Sequence, residues 1–96
     1  MRRAPGRQAG IGLTFLKAAP GGLPVKRVKE GGAAAAEGSI RPGELVVSID
    51  GAELAALDKQ ALARAMMGAE GSVAALMVAP AGGGAPRAVT LVRKAA

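Results

Sequence analysis

Two residue types that carry much of protein chemistry are missing from this chain, which contains no cysteine and no histidine. Without cysteine, neither a disulfide framework nor a thiolate metal site is available, and cysteine usage says nothing about the redox compartment. Without histidine, the chain lacks the most versatile general base and the commonest metal ligand. We therefore predict no metal, no other cofactor and no catalytic residue within these 96 residues.

Aromatic residues and long apolar segments are also scarce. Phe15 is the single aromatic residue, so the core must be built from Val, Leu, Ile and Met. No apolar run approaches the roughly 20 residues that a membrane-spanning helix needs, and the basic start lacks the apolar segment of a secretory signal. The compartment stays open, and a cytoplasmic location is expected if the chain is complete.

The hydroxyl residues give no sign of an enzyme. None of the serines lies in a Gly-X-Ser-X-Gly turn, and no histidine is present to act as a base. Asp50 and Glu53 are close in sequence, but they fall in a turn and its return, so we interpret them as turn residues. The hydroxyl residues considered as nucleophiles are Thr14, Ser39, Ser48, Ser72 and Thr90.

The chain is basic, with 13 Lys and Arg residues, 7 Asp and Glu residues and a net charge of +6. Nucleic-acid-binding domains usually add stacking aromatic residues or a basic helix, and neither is found, so we predict no nucleic-acid partner. The charge favours acidic partners in general, and an anionic lipid headgroup is a less favoured alternative. The basic residues include Lys26, Arg27, Lys29, Arg64, Arg87, Arg93 and Lys94.

Turn residues and periodicity predict a succession of short strands. Residues 1–9 mix Pro, Gly and charge without periodicity, which predicts a flexible basic lead-in. Residues 45–49 are rich in β-branched residues, and Asp50-Gly51 directly after them is a strong hairpin signal. Further strands are predicted at residues 11–17, 24–29, 73–79 and 88–93.

Two helices are predicted between these strands. Residues 31–38 hold four alanines between glycines, which favours a short helix over a low-complexity linker; Pro42-Gly43 then predicts a type II turn. Asp58 suits the N-cap of a helix over residues 59–67, and Gly68 lies where a left-handed C-terminal cap is expected. The element order predicts a mainly-β α+β fold, a five- to six-stranded antiparallel barrel or sandwich capped by two helices.

The sequence Gly10-Ile11-Gly12-Leu13 lies at the start of the first predicted strand. Glycine tolerates positive φ and close backbone approach. Such a turn can therefore aim consecutive N–H groups at one anion, including a peptide's terminal carboxylate. Taken alone, the motif is also compatible with a tight structural turn.

Taken in order, four segments resemble the motifs of PDZ domains. Residues 10–13 resemble the family's Gly-Leu-Gly-Phe loop, and residues 31–38 resemble its Gly-Gly-Pro-Ala helix segment with alanine in place of proline. Residues 40–51 are similar to the signature Leu-X-X-Gly-Asp-X-Ile-Leu-X-Val-Asn/Asp-Gly, and the helix at 59–67 takes the place of the groove-lining helix. The resemblance covers residues 10–94 and leaves 1–9 as a lead-in and 95–96 as a tail.

The strand order resembles one branch of that family. Signalling PDZ domains of animals begin with an apolar strand, which residues 1–9 do not resemble, whereas the strand at 88–93 is an addition at the C-terminal end. This permuted arrangement resembles the PDZ domains of tail-specific, or C-terminal-processing, proteases. Their Ser/Lys catalytic domain has no counterpart in this sequence, so the resemblance implies a lone module or the PDZ portion of something larger.

The resemblance implies a protein-interaction module that binds the C-terminal carboxylate end of other polypeptides. The partner would add as a strand between residues 13–17 and the helix at 59–67, and its apolar last side chain would enter a pocket. Lys59, in place of the histidine found in many relatives, argues against Ser or Thr two residues before the end and favours an acidic or apolar residue. The implied carboxylate-binding residues are Arg7, Gly10, Ile11, Gly12 and Leu13, and the implied pocket residues are Leu13, Phe15, Lys59, Leu62, Ala63 and Met66.

Two alternatives stay open. The chain could be the substrate-recognition or regulatory part of a C-terminal-processing serine protease, or it could bind anionic lipid headgroups through its basic surface. For Phe15 and Met66, ordinary core packing is an equally simple explanation, and Lys59 could be a solvated first-turn side chain.

Overall fold

The computed structural model describes residues 8–17, 19 and 21–94, and a six-stranded antiparallel sheet dominates this part of the chain. The first half contains β1 (Gln8–Ala9), β2 (Leu13–Phe15), β3 (Leu23–Val28), α1 (Ala33–Glu37), β4 (Leu45–Ile49) and β5 (Ala52–Glu53). The second half contains a 3-10 turn (Leu54–Ala56), α2 (Lys59–Met66), β6 (Gly68–Ala69), β7 (Val73–Ala79) and β8 (Arg87–Val92).

The large sheet has the strand order β2-β3-β4-β7-β8, and β5 pairs with β4 to the side of this path. Every pairing is antiparallel. β2 and β8 therefore lie at opposite edges of the sheet. A second, two-stranded sheet joins β1 to β6.

The core is aliphatic, as the composition predicts. Alternate residues of β7 and β8 face inward, since a strand directs successive side chains to opposite faces. The predicted mainly-β α+β fold, an antiparallel sheet with two helices, is confirmed. The largest fully buried side chains are Ile11, Val25, Val46, Ile49, Leu54, Leu76, Val78 and Leu91.

Local sequence signals produce the expected turns. Gly43 has a φ of +94°, and the Glu44 N–H donates to the Arg41 carbonyl at 3.2 Å, as in a type II turn. Asp50 and Gly51 have φ values of +50° and +84°, which are the two positive values of a type I′ hairpin turn. At the start of α2, the Asp58 carboxylate accepts a hydrogen bond from the Ala61 N–H at 2.8 Å.

Three predictions are wrong in detail, and each fails because of a long-range contact. Gly68 does not cap α2: Met67 has an extended backbone, with φ −94° and ψ 150°, and Gly68 enters β6. The irregular lead-in does not extend to Gln8 and Ala9, which pair with β6 as β1. β2 is shorter than residues 11–17: its start is delayed because the Ile11 carbonyl bonds to α1 and the Gly12 carbonyl bonds to Lys29, just after β3. Residues 1–7 and 95–96 lie outside the described part of the chain.

Candidate functional site

The glycine-rich loop at residues 10–13 is fixed by its carbonyl groups. The Ile11 carbonyl accepts a hydrogen bond from the Ala34 N–H at 3.0 Å, and the Gly12 carbonyl accepts one from the Lys29 N–H at 2.9 Å. The Ile11 side chain is only 2% exposed, which anchors the loop in the core. Within the described residues, the N–H groups of Ile11 and Gly12 donate to no backbone acceptor. The loop is therefore a rigid turn with two backbone donors for which no described residue is an acceptor.

Close backbone contact makes Gly12 necessary at its position. Its φ is +77°, a region that L side chains avoid. A Cβ there would also lie 3.0 Å from the Ala33 nitrogen and 3.1 Å from the Gly32 Cα. The loop thus packs against the first residues of α1 without a side chain in between.

The strand that follows the loop has one free edge. β2 pairs only with β3 among the described residues. The Gly12 carbonyl accepts from Lys29, directly after β3, and the Leu16 N–H donates to the Pro24 carbonyl of β3 at 2.9 Å. Because alternate residues of a strand direct their backbone groups to opposite edges, Leu13 and Phe15 turn theirs to the free edge. This edge can accept another strand.

The predicted pocket residues take two kinds of position. Leu13 belongs to the buried core cluster, and Phe15, Leu62 and Met66 are half-buried and pack against that cluster. The structure thus places these four on one apolar cluster. Ala63 and Lys59 are exposed on α2, and Arg7 lies outside the described residues. Packing against the core therefore accounts for the positions of Phe15 and Met66, and their role in a ligand pocket stays a prediction.

The short ladder of β1 and β6 brings the loop to the C-terminal end of α2. Ala9, directly before the loop, is opposite Gly68. A Cβ on Gly10 would lie 3.4 Å from the Met67 sulfur. Lys59 starts the same helix, about 10 Å further along its axis at 1.5 Å per residue. The loop and Lys59 therefore lie near opposite ends of α2.

Met67 was missed in the sequence analysis as a candidate site residue. Its side chain is 41% exposed and approaches Gly10. Together with Ala63, Arg64 and Gly68 it lines an open concave surface of about 500 Å³. Residues four apart share one side of a helix, so the spacing from Ala63 to Met67 was a usable signal.

Arg93 is a buried cation that holds the end of α2. Its side chain is 6% exposed. The guanidinium donates to the Ala65 carbonyl at 3.1 Å and the Met66 carbonyl at 3.2 Å, and further to Ser72 Oγ and the Val73 carbonyl at 3.2 and 3.3 Å. Positive charge at a helix C-terminus is favourable. These four acceptors, together with the Asp50 carboxylate at 3.8 Å from the guanidinium, offset the cost of burial.

Gly68 is required for this arrangement of Arg93. A Cβ at Gly68 would lie 3.0 Å from three atoms of the Arg93 side chain, including Nε and Cζ. The glycine thus lets the guanidinium lie flat against the backbone that follows α2. No local pattern marks Arg93 for burial, and the sequence analysis counted it among the surface cations.

Arg87 is also committed to a partner within the domain. It makes an ion pair with Glu44 at 2.9 Å and donates to the Ser39 carbonyl at 2.8 Å. The hydrogen bond from Arg87 lowers the pKa of the Glu44 carboxyl below its ordinary value, and a bond from the Arg41 N–H acts in the same direction. The basic surface is therefore smaller than the net charge suggests.

Two further findings bear on function. In the described part of the chain, no helix is long and apolar enough to cross a membrane. Residues 8–17, 19 and 21–94 also contain no group of three or more His, Cys, Asp or Glu residues that could hold a metal ion.

The fold and the site together define a class of domain: a small antiparallel sheet whose edge strand starts from an anchored glycine loop, with a helix end held beside that loop. The family model for the PDZ domain matches residues 1–79. The chain belongs to the PDZ family. β8 lies beyond the matched residues, at the place where the sequence analysis predicts an added strand.

Among solved structures, the chain resembles PDZ domains of C-terminal processing proteases. The photosystem II D1 C-terminal processing protease matches with a TM-score of 0.82 and 21% identity over 97% of this chain, which spans 25% of that protein. The PDZ domain of a carboxy-terminal protease from Vibrio cholerae, crystallised in complex with a peptide, matches with a TM-score of 0.76 and 22% identity. That alignment covers 92% of this chain and 96% of the other. No curated protein matches the chain in sequence.

Proposed function

We propose that this domain binds the C-terminal end of partner or substrate polypeptides by adding it as a strand to β2. The observation that carries this proposal is the free edge of β2, which begins directly after a rigid loop with two backbone donors for which no described residue is an acceptor. In strand addition, backbone pairing supplies affinity and pockets for alternate side chains supply specificity.

The terminal carboxylate accepts hydrogen bonds from the N–H groups of Ile11, Gly12 and Leu13. Hydrogen bonds from neutral N–H groups to an ionised acceptor are stronger than neutral pairs, and the fixed carbonyls mean that the loop is already ordered before the ligand arrives. Gly10 joins the loop to β1 beside Met67. Arg7, three residues before the loop in the sequence, adds positive charge for the carboxylate in this proposal.

The last side chain of the ligand enters an apolar pocket between β2 and α2. Leu13 and Phe15 share one face of β2, and Leu62 and Met66 belong to the same apolar cluster. Ala63 and Met67 extend this surface at the exposed side of α2, so a terminal Val, Leu, Ile or Phe is accepted. Lys59, at the far end of α2, faces the ligand residue two before the end and favours an acidic or apolar side chain there.

We further propose that the module serves substrate recognition in a C-terminal-processing protease. The support is the likeness in fold to two such proteases, one of them crystallised with a peptide. If the domain recognises substrates for such a protease, amidation of a substrate's C-terminus should prevent its binding to this domain. It should also protect the substrate from cleavage by the complete protease. Cleavage of amidated and free substrates at equal rates would argue against it.

The first experiment is a titration with a library of C-terminal peptides, monitored by NMR amide shifts. Each binding peptide is retested as its C-terminal amide at two salt concentrations. We expect shifts at Ile11, Gly12 and Leu13 and loss of binding on amidation. Equal binding of amidated and free peptides, or binding that collapses with salt, would instead favour an anion or lipid headgroup on the basic surface.

A second experiment tests which ligand N–H groups form hydrogen bonds with β2. The ligand N–H groups opposite Leu13 and Phe15 point into the ladder, whereas the one opposite Thr14 points away from it. N-methylation of the last residue, or of the residue two before it, is expected to weaken binding at least tenfold, about 1.4 kcal/mol. N-methylation of the penultimate residue is the matched control and is expected to be tolerated.

A further inference from the structure

The outer face of β2 and β3 carries cations beside the free edge. Thr14 on β2 is directly opposite Arg27 on β3, and both side chains are exposed. Lys29 lies two residues beyond Arg27, on the same face, and its N–H donates to the Gly12 carbonyl. These strands form one side of an open concave surface that encloses about 640 Å³. It is lined by Thr14, Arg27, Val28, Lys29 and Glu30.

We propose that Arg27, assisted by Lys29, selects ligands whose penultimate residue is Glu or Asp. This inference rests on the proposed function, since it assumes a ligand strand on β2. It concerns the face of β2 opposite the apolar pocket. The penultimate ligand residue lies on that face, where neither the pocket nor Lys59 contacts it.

The pairing register places the penultimate residue next to Thr14. A carboxylate held by the Leu13 N–H puts the last ligand residue opposite Leu13, because the backbone groups of Leu13 face the free edge. In an antiparallel ladder the penultimate residue is then opposite Thr14, and directly opposite residues direct their side chains to the same face. Arg27, Thr14 and the penultimate residue thus form one row across three strands, with neighbours about 4.8 Å apart.

The chemistry of this row favours a carboxylate. Thr14 is short, so the long Arg27 side chain can extend over it towards the ligand. Lys29 is exposed and lines the same concave surface as Thr14 and Arg27. Neither Arg27 nor Lys29 has an ion pair with a described residue, in contrast to Arg87 and Arg93.

The balance of charge around the row is positive. Lys26, at the irregularity in β3, adds a third exposed cation, and Glu30 is the single acidic residue that lines the concave surface. An Arg side chain can bind a carboxylate through two parallel hydrogen bonds. An uncharged or basic penultimate residue would leave these cations without a partner.

The test uses three peptides that share an apolar last residue and differ only in a penultimate Glu, Gln or Lys. Affinities are measured by fluorescence anisotropy at low and high salt for the wild type, Arg27→Gln and Arg27→Glu. We expect the Glu peptide to bind roughly threefold to tenfold more tightly than the Gln peptide at low salt, since exposed ion pairs are individually modest. Arg27→Gln should largely remove this preference, and Arg27→Glu should make the Lys peptide the tightest ligand.

Lys94→Gln is the matched control, because Lys94 follows β8 at the opposite edge of the sheet and its loss changes the net charge equally. The proposal is overturned if the Glu and Gln peptides bind alike, or if Lys94→Gln reduces the preference as much as Arg27→Gln does. Binding of the Gln peptide shows whether strand addition itself occurs, independently of any preference for a penultimate carboxylate. If its binding is abolished by amidation, the groove stands and only the penultimate preference is wrong.

Discussion

At the scale of single residues, two positions decide whether the loop and the sheet keep their geometry. Gly12 combines a positive φ with a backbone contact to α1, whereas Gly38 has a similar φ of +88° with nothing within 4 Å of its Cβ position. Glu44 accepts hydrogen bonds from both Arg87 and the Arg41 N–H. The two positions make separate predictions about stability.

Gly12→Ala is expected to lower the free energy of unfolding by about 2–4 kcal/mol, because it adds a steric conflict to the cost of a left-handed residue. Gly38→Ala is the matched control and should cost only about 1 kcal/mol. Urea unfolding of both variants measures the difference. If the two variants lose the same free energy of unfolding, the contact between Gly12 and α1 does not contribute to stability.

Replacing Glu44 should change how stability depends on pH. The folded pKa of Glu44 is lowered, so its contribution is fully present above the ordinary value of 4.5 and is lost as the pH falls through the lower, folded pKa. Glu44→Gln is expected to cost about 1 kcal/mol or less at pH 7, since Arg87 is 38% exposed and solvent screens the pair.

The measurement for Glu44 is unfolding of the wild type and Glu44→Gln between pH 7 and pH 2.5. The difference between them should shrink below about pH 4.5, where the unfolded chain binds a proton at Glu44, and should vanish once the folded carboxyl is also protonated at lower pH. Glu70→Gln, at an exposed turn, controls for the change in net charge. A difference that stays constant with pH would contradict the ion-pair explanation.

At the scale of elements, Arg93 links three parts of the fold. Its guanidinium binds the last carbonyls of α2 and the first residue of β7, and it follows β8 directly. The adjacent Gly68 pairs with Ala9. The end of α2 and the start of the glycine loop are therefore positioned by one buried side chain and one short ladder.

Arg93→Met is expected to lower the free energy of unfolding by about 2–4 kcal/mol, because it leaves several partly buried carbonyls without donors. Arg93→Lys keeps the charge but not the planar set of donors, and we expect an intermediate loss. Chemical unfolding measures both variants, and Lys94→Met is the exposed neighbouring control. If peptide affinity of the folded variants also falls, Arg93 positions the groove. An unchanged affinity would restrict Arg93 to stability.

At the scale of the whole molecule, ligand binding and stability are linked. A free C-terminal peptide at one hundred times its dissociation constant should stabilise the domain by about 2.7 kcal/mol, which corresponds to a rise in Tm of roughly 10–20 °C for a domain of this size. Differential scanning fluorimetry measures the shift. The amidated peptide at equal concentration should give none, and an equal shift would refute carboxylate capture.

The sequence by itself determined most of the local structure. The hairpin at Asp50-Gly51, the turn at Pro42-Gly43 and the Asp58 cap of α2 were predictable, because each depends on a few adjacent residues with a marked conformational preference. The order of these segments was also sufficient to identify the family. The candidate site residues could be named in the same way, although their roles stay predictions.

Only the tertiary structure decided how the site is held together. The pairing of Ala9 with Gly68, the burial of Arg93 and the approach of Met67 to Gly10 all join residues far apart in the chain. No local preference encodes such contacts. Gly68 illustrates the reason: its local sequence suits a helix cap, but the hydrogen bonds of the β1–β6 ladder and the close packing of Arg93 favour an extended strand. The tertiary contacts outweigh the local preference there.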